Sequence, residues 1–249
     1  MFLQVPPGEL VSALGSDAAL DALRVTAETN AIAMGLILGF GTPAAYWICT
    51  RRGTLRDVLV TLVELPLVLP PAVAGIGLLV AFGRAGLLGD EIGALGLDLA
   101  FTKVSVILAV TFVASPFYLR TAIAAFDAVD ATLPAAARTL GAGRGRVFFR
   151  VMLPLARGGL GAGAALAFAR GLGEFGATIM FAGSLQGVTQ TLSLAIYEQF
   201  DVDLNVALAI SALLISISAA VLLSVKVTSR WRSESGSLTL FAPSRRRPT

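Results

Sequence analysis

The chain has 249 residues, 56% of them hydrophobic and only 14% charged, with a formal net charge of +3. A soluble domain carries about 25% charge, and a chain of this length has no aqueous core that holds so much apolar surface; the bilayer is the solvent that takes it. The absence of histidine and the single cysteine exclude a Cys/His metal centre, a disulfide framework and the usual general base.

Met1 to Asp21 holds Glu9 and Asp17 and no basic run, so the first apolar stretch reads as a retained span rather than a cleaved leader. That stretch, residues 29–50, lies between Glu28 and Arg51, and Cys49 within it reads as a small buried hydrophobe. A second span covers 58–82 and contains one acid, Glu64, which reaches the interface or pairs with an arginine. Pro66, Pro70 and Pro71 remove backbone donors in the middle of this span. Interrupted helices survive at membrane depth where they line a cavity or are packed in protein. Two readings stand: a kinked packing helix or the lining of a pathway.

The third span covers 104–126, with Arg120 near its end. Residues 127–150 then form a loop carrying Arg138, Arg144, Arg146 and Arg150. Asp127 or Asp130 starts short helical turns, Pro134 suits a helix's first position, and Ala135 to Leu140 favours helix. Gly141 stops or bends that helix, and Val147-Phe148-Phe149 is an apolar patch. The pattern predicts two short amphipathic helices joined at a glycine, forming a knob for a partner or lying with its arginines on lipid headgroups.

The fourth span covers 151–182 and opens with a run of glycines and alanines, Gly158 to Ala165, which lets helices approach closely. Arg170 and Glu174 interrupt it four residues apart, on one helical face. They form a structural ion pair or guide a substrate, since charges within a span are functional candidates by default. Gly171, Gly173 and Gly176 match the spacing of a dinucleotide fingerprint, but no strand precedes them. Residues 141–146 lack the lysine and hydroxyl of a phosphate-binding loop, so no ATP site is read in this chain. The fifth span, 204–225, is uncharged.

The sequence thus predicts an all-α polytopic membrane protein, one domain over residues 1–249, with about five spans. Basic residues collect after span one, between spans three and four, and from Lys226 to Arg247, whereas the alternate loops are poor in them. Five spans put all three groups on one side, the cytoplasm, with the N-terminus outside.

The segment Ala135-Ala136-Ala137, three residues, Gly141, nine residues, Val151-x-Leu153-Pro154 resembles the EAA loop of ABC-importer permeases. Ala135 stands where that pattern has glutamate, and Val151 where it has isoleucine. Leu65 to Pro71, Ala136 to Gly143, Arg146 to Phe149, Leu166 to Arg170, Gly173 to Ile179 and Thr189 to Tyr197 are similar to the molybdate-importer permeases. Sulfate permeases share much of this pattern, and tungstate is hard to separate from molybdate.

The resemblance implies a MetI-like permease fold in the inner membrane and transport of molybdate or tungstate. It implies a second copy of the chain, two ATPase subunits that bind ATP and magnesium on the cytoplasmic side, and an external oxyanion-binding protein. It carries a coupling role to Ala135, Ala136, Ala137, Arg138, Gly141, Arg146, Leu153 and Pro154. Pro66, Pro70, Pro71, Arg170, Gly173, Glu174 and Thr178 are the candidates for the path or its packing. A divalent oxyanion needs such a wet path, because losing its hydration in a dry medium costs on the order of tens of kcal/mol. The few fixed cations in the spans suit a path of low affinity. The alternatives are a sulfate or thiosulfate permease, a secondary transporter and a membrane scaffold. The sequence shows no repeat symmetry to support the secondary transporter, and nothing in it points to nucleic acid.

Overall fold

The computed structural model describes residues 14–237, with side chains as far as Ser224; Glu9 and the basic group from Lys226 to Arg247 lie outside the described side chains. Among the described residues all regular structure is helical. The helices are α1 (Asp17–Cys49), α2 (Thr54–Val68), α3 (Pro71–Phe82), α4 (Gly89–Ala94), α5 (Lys103–Asp127), α6 (Thr132–Thr139), α7 (Arg144–Val147), α8 (Leu153–Leu172), α9 (Gly176–Ala182), α10 (Leu192–Val202) and α11 (Leu204–Ser237). Phe148–Met152 forms a π turn between α7 and α8.

α1 starts at Asp17, well before the expected Thr29, because Ser16 caps it by accepting the Ala19 N–H. Glu28 does not end the helix. Its carboxylate is taken by Arg24 at 2.8 Å and by Lys103 at 2.7 Å. α5 opens on a reciprocal capping box between Thr102 and Ser105. Cys49 is half-buried at the foot of α1, a packing residue on the edge of the core rather than inside it.

α1 and α5 run in the same direction. Glu28 meets Lys103, Thr42 meets the Tyr118 hydroxyl at 2.5 Å, and the Tyr46 and Phe126 rings lie 5.6 Å apart. α8 runs against them. A Cβ on Gly159 would sit 2.5 Å from Ala125 Cβ, one on Gly163 3.0 Å from Thr121 Cβ, and one on Gly171 3.0 Å from Val110 Cγ1. The expected small-residue face is therefore the α8 surface against α5. In lipid, association rests on such close packing rather than on apolar burial. Tyr118, Phe126, Val147, Ala156 and Ala167 anchor the largest buried cluster along this seam.

The second span is not one helix. α2 and α3 meet at 110°. Pro70 and Pro71 each disfavour helical backbone in the residue before them, and Leu69 and Pro70 are both extended, with ψ of 131° and 133°. Pro71 then starts α3, where its missing N–H costs nothing. The bent pair nevertheless crosses the bundle. It leaves beside Asp127, where Arg56 pairs with that carboxylate, and the chain re-enters α5 at the opposite end, where Phe101 N–H donates to the Phe181 carbonyl. A re-entrant hairpin would return to its starting end, which parallel α1 and α5 do not allow. Among the described residues four helices are long and apolar enough to span, and the bent pair makes the fifth crossing.

The fourth span departs from its expected bounds of 151–182 in two ways. Its helical rod starts at Arg144, and it breaks after Leu172 before resuming as α9. α11 continues the expected fifth span to Ser237.

Candidate functional site

The two broken spans face each other. A Cβ on Gly176 would lie 2.7 Å from Pro71 Cβ, and one on Gly75 would lie 2.5 Å from the Ala177 carbonyl oxygen. Glycine at both positions lets α3 and α9 cross almost backbone to backbone. The structure thus brings Pro66, Pro70, Pro71, Arg170, Gly173, Glu174 and Thr178 into one region. Pro66, Leu67, Leu69, Pro71, Ala74, Val113, Phe117 and Arg170 surround a cavity of about 100 Å³ there.

Arg170 and Glu174 form an ion pair at 2.7 Å, but not on one helical face: Gly173 ends α8, and Glu174 sits in the break. Its side chain is 1% exposed against 26% for Arg170. The other carboxylate oxygen accepts the Ala177 N–H at 2.7 Å and so caps α9. The Glu174 carbonyl accepts the Ser193 hydroxyl at 2.5 Å, and the Phe175 ring lies 5.2 Å from Tyr197. The break is therefore held from three sides. Gly173 has open space around it, and its backbone stays near the helical region with φ −88° and ψ 9°.

A belt of buried polar side chains surrounds the break: Thr26, Thr29, Asn30, Thr178, Thr189, Gln190 and Thr191. Thr26 accepts the Leu192 N–H at 2.8 Å and so ties α1 to α10. Thr29 donates to the Val25 carbonyl within α1, whereas the Thr178 hydroxyl has no partner among the described residues. Gln190 reaches Glu198. Sequence reasoning missed Thr26, Asn30, Gly75 and Ser193. The signal for the first two was a polar run, Thr26 to Asn30, at the start of an apolar stretch.

The expected coupling segment is a separate unit at the end of the bundle that carries Arg51 and Arg56. α6 begins at Thr132, two residues before Pro134, which therefore does not take the first position. Asp130 sets that start by accepting the Thr132 N–H at 2.9 Å and its hydroxyl at 2.8 Å. The backbone hydrogen bond from Thr132, followed by that from its side chain, holds the Asp130 carboxyl below its ordinary range. Gly141 adopts φ +83°, and the Gly141 and Ala142 amides donate to the Arg138 and Ala137 carbonyls. This is the left-handed stop that glycine makes cheaply.

α7 then leads into the π turn, in which Leu153 N–H bonds Phe148 O. Pro154 has no N–H to send back to Arg150, and the turn before it widens. The Phe148 ring roots the unit, lying 4.9 Å from Tyr46 and 6.3 Å from Phe126. Val147 is buried, Ala137 and Leu153 pack on the core, and Ala135, Ala136, Arg138, Gly141, Arg146 and Pro154 are exposed. Leu140 is 87% exposed and Phe149 67%. A knob with three exposed apolar side chains, Leu133 among them, and a fringe of arginines remains. Arg120 pairs with Glu64 at 3.0 Å across α5 and α2, the second of the two readings of Glu64.

Residues 31–232 match the family described as binding-protein-dependent transport system inner membrane component. The chain is 47% identical over 204 residues to the molybdenum transport system permease protein ModB of Mycobacterium tuberculosis, covering 82% of this chain and 77% of that protein. It is 38% identical over 215 residues to the ModB protein of Escherichia coli K12, covering 81% of this chain and 93% of that one. Among solved structures it is similar to a bacterial ABC transporter that imports the acidic polysaccharide alginate, with a TM-score of 0.68 at 16% identity, covering 91% of this chain and 84% of that one. It is also similar to the inward-facing MetNI methionine ABC transporter, with a TM-score of 0.66 at 18% identity, covering 86% and 95% of the two chains.

Proposed function

This chain belongs to the family of binding-protein-dependent transport system inner membrane components, and from that premise we propose that it is the permease subunit of an ABC importer for molybdate. The observation that carries the substrate is the 47% identity to a molybdenum permease over most of both chains. The observation that carries the mode of action is the knob formed by α6, Gly141 and α7, set on a broken-helix core.

In this reading two copies of the chain enclose the path, and an external oxyanion-binding protein delivers the anion. ATP and its magnesium bind on separate ATPase subunits, which grip the knob through Leu140, Phe149 and the arginines. The arginine-rich end lies in the cytoplasm and the N-terminus outside, in keeping with the basic loops. Motion of the knob passes to α8 through the π turn and to α1 and α5 through the Tyr46, Phe126 and Phe148 rings. The breaks at Leu69–Pro70 and Gly173–Phe175 give the bundle two places to bend without breaking a regular helix. The anion moves along a seam of glycines, hydroxyls and one salt bridge.

The test is reconstitution of the chain with its ATPase and external binding protein in liposomes, followed by uptake of molybdate and sulfate. ATP-dependent accumulation of molybdate, with competition by tungstate, is expected. Accumulation of sulfate without molybdate overturns the substrate assignment.

A further inference from the structure

We infer that Arg170 contacts the oxyanion in transit and that Glu174 is a positioning residue that keeps this contact weak; the inference rests on reading the break as the transport path. Glu174 is immobilised. Its Oε1 accepts the Ala177 N–H at 2.7 Å, its Oε2 lies 2.7 Å from Arg170 in an ion pair that lacks hydrogen-bond geometry, and the side chain is 1% exposed. Arg170 is the more open partner at 26%, and it is the one charged residue lining the cavity at the break. Its guanidinium offers five N–H donors in a planar fork. Among the described residues Glu174 is its one ion-pair partner.

The remaining walls, Pro66, Leu67, Leu69, Pro71, Ala74, Val113 and Phe117, are apolar. An anion that enters this cavity therefore finds a single charged host in its lining. The cavity, at about 100 Å³, has room for roughly three waters, so a tetrahedral oxyanion gains the guanidinium as α3 and α9 part. A bare arginine in such a place would hold a dianion and stall it. With Glu174 in contact, the pair is neutral as a unit, and the anion must compete with a fixed carboxylate for the same donors. The contact then gives an anion a foothold that neutral solutes lack yet releases it quickly.

The experiment compares wild type with Glu174→Gln, Arg170→Gln, Arg170→Lys and the double variant E174Q/R170Q, each as the complex with its ATPase. Two quantities are read: molybdate binding by calorimetry without the external binding protein, and kcat and KM of uptake in liposomes. Glutamine at 174 retains an acceptor for the Ala177 N–H and the side-chain volume. Freeing a charge-assisted donor set is expected to tighten molybdate binding by about tenfold or more in E174Q, with kcat and KM of uptake falling together. R170Q and the double variant are expected to lack that gain, and R170K to recover part of it, because a point charge replaces the fork.

Equal binding by wild type and E174Q overturns the inference, as does tight binding that persists in the double variant. If E174Q does not assemble, the uptake arm decides. R170Q with unchanged KM overturns the inference, and a KM raised about tenfold with normal ATPase association sustains it. Sulfate is run beside molybdate in every arm. Wild-type uptake of sulfate in place of molybdate refutes the substrate assignment, while the Arg170 comparison is then read with sulfate.

Discussion

Replacing Gly75 with alanine tests the crossing of α3 and α9, on which the geometry of the break depends. The added Cβ would lie 2.5 Å from the Ala177 carbonyl oxygen, 2.8 Å from Ala177 Cα and 2.8 Å from Met180 Cβ. Ordinary contact begins near 3.4 Å, so the two helices must separate by about 0.9 Å at a point where both partners are backbone or Cβ and no rotamer change relieves the strain. Overpacking of that order costs about 1–3 kcal/mol, set against a gain of about 0.5–1 kcal/mol from replacing a helical glycine. The net expectation is a loss of about 1–2 kcal/mol.

Gly77 supplies the control. It lies on the same helix, and a Cβ there meets nothing within 4 Å. Gly77→Ala is therefore expected to be neutral or stabilising. Thermal unfolding of both variants in nanodiscs, with uptake measured in parallel, reads the difference. If Gly75→Ala melts with Gly77→Ala and transports like wild type, α3 and α9 do not cross as described, and the reasoning about the break fails with it.

Gly141→Val forces a branched side chain into φ +83°, a conformation that costs an L-residue about 1–2 kcal/mol; reduced co-purification of the ATPase and reduced uptake are expected, with Gly141→Asn milder. Leu140→Asp changes a side chain that is 87% exposed, so it is expected to weaken ATPase association without lowering the melting temperature of the isolated permease. Glu174→Ala strips a buried cap and the partner of Arg170 together, and is expected to cost about 3 kcal/mol, read as a lowered melting temperature that E174Q largely restores. Asp130 has its carboxyl held below the ordinary range by Thr132, so its hold on α6 is complete above that range and is lost as pH falls through the lowered value. The protection of the Thr132 amide, taken relative to its intrinsic exchange rate at each pH, is expected to fall on that acid descent, and Asp130→Asn to remove that pH dependence.

The number of crossings, the knob and its glycine were legible in the sequence because each rests on a local signal: apolar length, arginine placement, and a residue that tolerates left-handed backbone. The bounds of the spans were less so, because charge alone served as the boundary mark. Glu28 lies inside α1 since Arg24 and Lys103 neutralise it, and the Lys103 contact joins residues far apart in the chain. The break after Leu172 was hidden for the opposite reason. Apolar and small residues continue through it, and the break shows itself only when Glu174 caps Ala177 and Ser193 holds the Glu174 carbonyl. Spacing by four correctly paired Arg170 with Glu174 while assigning the wrong backbone to the second residue, since a carboxylate just past a helix end still reaches back one turn. That displacement changes the chemistry of the pair. A glutamate within a helix would be only a counter-charge, whereas one in the break also fixes the start of the next helix. Any movement that separates α8 from α9 must therefore disturb the partner of the one arginine that lines the cavity.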